Sequence, residues 1–338
     1  MKTSQENNNL NDKSTTCKRL HSINQHLIMK NLHHKNVNCI IELSDKRIVT
    51  GSYLSISICF IDLVTKEWNQ ISKIDKAHQD WINYILELNN KRIASCSEDL
   101  TIKIWDVSDF FITTLHTTIV AHTHWIFQII TLTNNRIASI ARDKTIKIWD
   151  DLTFEKIETP FETQENEPFC AIQLKKQKEI LCVSLSKNNE GRIMFYSLTH
   201  PYEQKGNIEQ VFTSSINGMI ELENGHIALS MIYPSISRIV IVDPLKYTVV
   251  QEIIDCEHIS QDGAGSMCSF NDNSFIYGFY GCFCQIAYVN DDYKIIFATR
   301  EPKQDLLGGL LLIENGDYFI SRTSKGKQGN IIIYKCEF

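Results

Sequence analysis

The sequence predicts an all-β chain, a seven-bladed β-propeller closed by an N-terminal strand. Two observations carry that reading. The first is one stretch written twice. AHQDWINYILELNNKRIASCSEDLTIKIWD ends at Asp106, and AHTHWIFQIITLTNNRIASIARDKTIKIWD ends at Asp150. His78 and His122, Trp81 and Trp125, Ser95 and Ser139, Asp99 and Asp143, and Trp105 and Trp149 each lie 44 positions apart. Tandem units of roughly 40–45 residues ending in Trp-Asp have the size of a four-stranded propeller blade. The second is a rhythm of short apolar runs and polar turns that continues to the C-terminus.

Composition agrees with a repeat array. Hydrophobic residues make up 43% of 338, enough for a large core. A formal net charge of −6 argues against broad nucleic-acid binding, which needs a basic footprint. The sequence holds no apolar run of about 18 residues, so no membrane span is expected. The start, MKTSQENNNLNDKSTT, is polar and lacks an apolar signal core. These features predict an intracellular, cytoplasmic chain. The eleven cysteines are odd in number and scattered through apolar runs such as Asn38-Cys39-Ile40-Ile41. They read as small buried hydrophobes rather than a disulfide framework.

Along the chain, residues 1–16 have almost nothing to bury and read as a disordered tail. Residues 17–338 read as one propeller. The first blade, NVNCIIELSDKRIVTGSYLSISICFID, is a worn copy. Its Leu43–Ile48 parallels Leu88–Ile93, Asp62 precedes Asp106 by 44, and His33 precedes His78 by 45. Ile61 stands where Trp105 does, and no Asp matches Asp99. After Asp150, four more units run through Leu174 to Tyr196, Ile216 to Asp243, Ser266 to Asn290 and Gly309 to Tyr334. Glu-Asn-Gly at 223–225 and 314–316 signals hairpins. The last unit has three apolar runs, at 309–313, 317–322 and 330–334. Residues 17–32 supply the missing fourth strand, which would cover the exposed edges.

The His78, Ser95, Asp99, Trp105 set and its copy at His122, Ser139, Asp143, Trp149 resemble the WD40 repeat family. The resemblance covers 77–150 fully, 33–62 in part, and 165–338 by rhythm alone. The family's usual Gly-His pair is Ala-His here. The resemblance implies a closed ring of four-stranded blades around a channel. It also implies a buried structural chain in which the Trp indole meets the Ser hydroxyl, the hydroxyl meets the His, and the His meets the Asp. A catalytic triad is the competing reading. A catalytic set appears once, however, and this one appears twice at the repeat period.

The resemblance further implies that partners dock on the face formed by the d–a and b–c loops. The residue opening strand a in each blade points there: Asn36, Trp81, Trp125, Glu167, Ser215, Gly263 and Leu306 in the seven-unit alignment. Paired exposed tryptophans are a costly surface choice and a frequent binding anchor. The candidate partner-binding residues are therefore Trp81, Trp125, Phe127, Arg142 and Glu98; simple edge packing is the bland alternative. Lys46-Arg47, Lys91-Arg92 and Arg136 recur at the a–b hairpins and read as solvated turns. His116, His122 and His124, and the Cys282-Phe-Cys284 pair, lack zinc-site spacing, so no metal is expected. Ser97–Thr101 lacks the Gly of a glycosidase Asp-box. The repeats lack the Arg of Trp-Asp-x-Arg, and no Gly-rich phosphate loop precedes a helix. No catalytic residue and no cofactor are implied. The expected function is a non-enzymatic scaffold that binds a peptide or partner protein, as a monomeric ring. A propeller-framed hydrolase or lyase is the alternative, and carboxylates converging in the channel would reveal it. A structural subunit of a larger assembly is a third reading.

Overall fold

The apolar runs pair as antiparallel strands because neighbouring blades bury them on both faces. The computed structural model describes residues 20, 22–157, 161–163, 166–188, 190–232, 237–254, 266–271, 273–279, 282–289, 292–300, 306–313, 316–323 and 329–337. The expected tail at 1–16 and Gly263 lie outside these residues.

Twenty-eight strands form seven four-stranded sheets. Strand β1 spans Ser22–His33. Blade one holds β2 (Cys39–Glu42), β3 (Ile48–Gly51), β4 (Ile56–Asp62) and β5 (Glu67–Ile74). Blade two holds β6 (Ile82–Leu88), β7 (Arg92–Ser97), β8 (Thr101–Asp106) and β9 (Thr114–Val120). Blade three holds β10 (Ile126–Leu132), β11 (Arg136–Ala141), β12 (Thr145–Asp150) and β13 (Phe161–Glu162). Blade four runs β14 (Glu167–Gln173), β15 (Ile180–Lys187), β16 (Glu190–Ser197) and β17 (Gln204–Phe212). Blade five runs β18 (Ile216–Glu221), β19 (Ile227–Ile232), β20 (Ser237–Asp243) and β21 (Thr248–Ile254). Blade six runs β22 (Ser266–Asn271), β23 (Ser274–Phe279), β24 (Cys282–Val289) and β25 (Asp292–Arg300). Blade seven has β26 (Leu306–Ile313), β27 (Tyr318–Thr323) and β28 (Gly329–Glu337).

The inner strands touch in a closed circuit, from β2 through β6, β10, β14, β18 and β22 to β26 and back to β2. Strand β1 completes blade seven by pairing antiparallel with β28, Ser22 opposite Glu337 and Met29 opposite Ile331. Closure by the N-terminal strand, expected from the missing fourth run, is thus the observed architecture. None of the described helices is long and apolar enough to cross a membrane.

The core lies between blades. Leu88, Ala94, Cys96, Ile102 and Ile104 of blade two pack against Ile126, Ile129, Ile137 and Trp149 of blade three. Five of the six residues in β7 and in β11 are buried, which explains their unbroken Ile, Ala, Ser and Cys composition. The side chains of Cys39, Cys59, Cys96, Cys170, Cys182 and Cys336 are buried in the same way. Burial raises the Cys59 and Cys170 thiols to about 12, so they stay protonated.

Lys46 and Lys91 are exposed as hairpin residues should be, but the arginines of these hairpins are buried or half-buried rather than solvated. Arg47 is 2% exposed and reaches into the next blade. Its Nη2 donates to the Val107 carbonyl at 2.6 Å, and its Nη1 donates to Asp109 and Phe110 at 3.2 and 3.4 Å. Its Nε pairs with Asp45. Arg92 lies over the Phe154 ring of blade three, and Arg136 donates to the Leu198 carbonyl of blade four. Each Arg ties its hairpin to the following blade. A second tie runs backwards: Glu87 accepts from the Ser44 amide, Gln173 from Thr133, and Glu221 from Lys176. These contacts satisfy hairpin amides that would otherwise lack partners.

Candidate functional site: the channel-mouth face

The two matching copies fold into two matching hydrogen-bond chains. In blade two, the Trp105 indole N–H donates to Ser95 Oγ at 2.8 Å. Ser95 Oγ lies 2.7 Å from His78 Nε2, and His78 Nδ1 lies 2.9 Å from Asp99 Oδ2. Asp99 also accepts from the Gln79 amide and from the amide and hydroxyl of Thr101. Blade three repeats the geometry: Trp149 to Ser139 at 2.8 Å, Ser139 to His122 at 2.7 Å, and His122 to Asp143 at 2.9 Å. Because the indole can only donate, Ser Oγ accepts from it and its own hydroxyl donates a hydrogen bond to Nε2, and Nδ1 carries the imidazole proton. Burial lowers the His78 and His122 values despite the adjacent carboxylates. Burial alone would raise the Asp99 and Asp143 values. The bonds from the imidazoles, the threonines and the backbone outweigh it and hold both well below the usual carboxylate range. Neutral His donating to ionised Asp is the resting state. Every polar atom of the set has a partner within the blade, so the set ties β6–β8 or β10–β12 and their preceding loops together.

Blade one does the same job with different residues. His33 Nδ1 meets Ser55 Oγ at 2.7 Å and His33 Nε2 meets Thr50 Oγ1 at 2.8 Å. Ser55 stands beside the place where an Asp was missed, and Thr50 takes the Ser95 place. With no carboxylate to hold a proton, burial first and then the charges of Lys73 and His34 push His33 down to about 4.

The b–c turns and the starts of the strand-a elements share one face, since Ile126 opposes Ala141 and Ala141 opposes Thr145. Trp125 sits there, 37% exposed, just before β10. The Arg142 guanidinium lies 4.9 Å above its ring, and the Arg142 amide donates to the Trp125 carbonyl at 2.8 Å. Glu98 occupies the same place one blade earlier, its amide bonded to the Trp81 carbonyl at 3.0 Å. Burial first, and then Asp80, raises the Glu98 carboxyl against the pull of Asn83, Arg142 and His124. Trp81 departs from the expected pair of exposed rings. It is half-buried and packs on Tyr53, centroids 5.1 Å apart, because Tyr53 bridges to it across blade one.

Phe127 lies two residues beyond Trp125 in the chain. It is the extra residue of a bulge between Ile126 and Gln128, and it stacks on Phe169 with centroids 4.6 Å apart at 13°. The same bulge falls at Asn83, Phe169 and Asn217 in blades two, four and five. A bulge leaves one residue outside the ladder and re-aims its side chain. Here Asn83 and Asn217 line the channel, with Asn38, Gln128, Tyr84, Cys170 and Met219. This cavity of about 260 Å³ is lined, among the described residues, by amides, thiols and apolar side chains, without a carboxylate or imidazole. Among the described residues no three His, Cys, Asp or Glu side chains gather as metal ligands would.

Phe169 carries no motif of its own in the sequence. Its position relative to Glu167 matches that of Phe127 relative to Trp125, so the alignment through blade four could have found it. Glu167 itself approaches Arg142, with Nε to carboxylate distances of 3.3 Å.

A closed ring of seven such blades, with buried Trp–Ser–His–Asp chains in two of them, defines a repeat propeller. The WD domain, G-beta repeat family matches residues 69–106 and 113–150, so these two segments are WD40 repeats. Each match begins in or just before the outer strand of one blade and ends with the third strand of the next. A solved structure titled "Crystal structure of RRP9 WD40 repeats" superposes with a TM-score of 0.71 at 12% identity, covering 94% of this chain and 100% of that one. No curated protein matches the sequence. The chain is thus a seven-bladed β-propeller in which two segments match the WD40 repeat model.

Proposed function

We propose that this chain is a non-enzymatic scaffold that holds a peptide segment or partner domain on the channel-mouth face, with Trp125, Arg142, Trp81, Phe127 and Glu98 as its contacts. The observation that carries the reading is the Trp125–Arg142 stack. An aromatic face already covered by a guanidinium, both partly exposed, offers apolar area and charged donors together. Such pairs recur at the energetic centres of interfaces. Trp81 contributes an edge buttressed by Tyr53, and the Phe127–Phe169 stack extends the apolar ground toward the channel. Preorganised side chains lose little freedom on binding.

Affinity capture with the full chain tests this. Double substitution Trp81→Ala with Trp125→Ala should remove specific proteins from the captured set. Val120→Ala, at an 80% exposed position on the outer strand β9, should not. A captured set unchanged by the double substitution would overturn the reading.

A further inference from the structure

Between blades three and four the same face opens into a cleft of about 490 Å³. Its wall carries Arg142 and Lys144 from the β11–β12 turn, Lys187 from the end of β15, and Glu167 from the start of β14. Among the described lining residues three cations, of which Lys187 also engages another group, face one carboxylate, so this wall is basic on a chain whose formal net charge is −6. The floor adds hydroxyls: Ser186 Oγ and Ser215 Oγ lie 2.8 Å apart, with Ser186 8% exposed. One proton joins these two oxygens, which leaves the other free to be donated to a ligand.

Arg142 is positioned but not saturated. Its ring contact with Trp125 fixes the guanidinium plane, and among the described residues its one side-chain hydrogen bond is from Nε to Glu167. Among the described residues its Nη groups make no hydrogen bond. A guanidinium fork of this kind matches the oxygens of a phosphate two at a time. The charge of the cleft matches too, since a phosphomonoester carries about −1.5 to −2 at neutral pH. A carboxylate would bring a charge that Glu167 already supplies.

We propose that this cleft receives a phosphorylated serine or threonine of the segment docked at Trp81 and Trp125, and that Glu167 is its internal competitor. The proposal rests on the scaffold reading above and names the chemistry of its partner. In the empty site Glu167 shields Arg142. An incoming phosphate dianion displaces that carboxylate, whereas a single acidic side chain gains little by doing so. The site therefore distinguishes a phosphorylated segment from its unmodified form by the movement of one side chain.

The test uses the full chain and three soluble peptide pools of degenerate sequence, with phosphoserine, serine or glutamate fixed at the centre. Binding is read by fluorescence polarisation of labelled pools at two salt concentrations. The phosphoserine pool should bind at least tenfold more tightly than the other two, and more weakly at high salt. Arg142→Ala should abolish the preference with an unchanged melting temperature. Glu167→Gln should tighten phosphoserine binding several-fold and narrow the gap to the glutamate pool. Inorganic phosphate should compete only weakly, because it lacks the flanking segment. Equal binding of the phosphoserine and serine pools, failure of the phosphoserine pool to bind, competition by free phosphate as strong as by the pool, or a Glu167→Gln variant that binds less well would each sink the proposal. The scaffold reading fails separately, through the capture experiment. Serine-pool binding that depends on Trp125 would leave that reading standing while the phosphate site fell.

Discussion

His33 offers a direct check on how blade one is held. Its ring is buried at the junction between β1 and blade one, and its two nitrogens meet the hydroxyls of Ser55 and Thr50. Its pKa falls from the ordinary 6.5 to about 4, chiefly through burial. In the unfolded chain the ring takes up a proton near pH 6.5; in the folded ring it waits until about pH 4. Between those values the unfolded state holds more protons, so acidification weakens the fold. The contribution is fully present above pH 6.5 and is lost as pH falls toward about 4. The gap corresponds to about 3 kcal/mol, at ~1.4 kcal/mol per pH unit. Urea midpoints for the native chain and for His33→Asn, taken at steps from about pH 7.5 to 4.5, would measure it. His78 and His122 are present in both proteins, so their contributions cancel in the difference. The native chain should lose most of that about 3 kcal/mol relative to the variant across the window. The His33 Cε1 proton resonance should show no titration above about pH 5. Superimposable pH profiles, or a ring that titrates between about 6 and 7, would refute the picture of a buried neutral imidazole held by hydroxyls.

Three further outcomes follow from the geometry. Arg47→Ala removes a buried cation from three carbonyls and Asp45, and should cost about 2–4 kcal/mol, with new protease cleavage at 107–112 as the local sign. Ser95→Ala strands the Trp105 indole N–H and His78 Nε2, and should lower stability by about 1–3 kcal/mol with altered tryptophan fluorescence; a neutral result would mean the chain in blade two is not a structural unit. Deleting residues 20–33 uncovers the β28 edge and should yield a protein that aggregates or is cut readily, as size-exclusion and limited proteolysis would show; a truncated chain melting like the intact one would contradict closure by β1.

The architecture was readable because its signals are local. His78, Ser95, Asp99 and Trp105 lie within one repeat, and a copy at a fixed spacing exposes them. The missing fourth run at the C-terminus pointed to β1 by the same bookkeeping of strands. What escaped depends on neighbours that the sequence does not place side by side. Lys46-Arg47 looks like any solvated hairpin until Val107 and Phe110, some sixty residues on, are seen to surround Arg47. Ser55 beside His33 carries no recognisable motif, since a hydroxyl replaces a carboxylate by position and not by type. Trp81 and Trp125 align perfectly, yet the ring of Tyr53 packs on one while His124 and the Arg142 guanidinium pack on the other. Regular strand alternation would put Phe127 on the same side as Trp125, and the bulge between Ile126 and Gln128 breaks that alternation. The pairing of Arg142 with Glu167 joins two positions already singled out, but their contact arises from the packing of blade three on blade four.

The pairing of β1 with β28 has a consequence for how the molecule comes into being. Ser22 and Glu337 are partners 315 residues apart. During synthesis β1 emerges first and must wait for nearly the whole chain before its partner exists. At the ribosomal rate of roughly 5–20 residues per second, that wait is tens of seconds. The interior blades pair with sequence neighbours and form early, while the joint between the two ends forms last and pays the largest loop entropy. Until then the nascent protein is an open arc with an uncovered strand at each end. The same joint that gives the mature ring its closure makes the nascent chain most dependent on its surroundings.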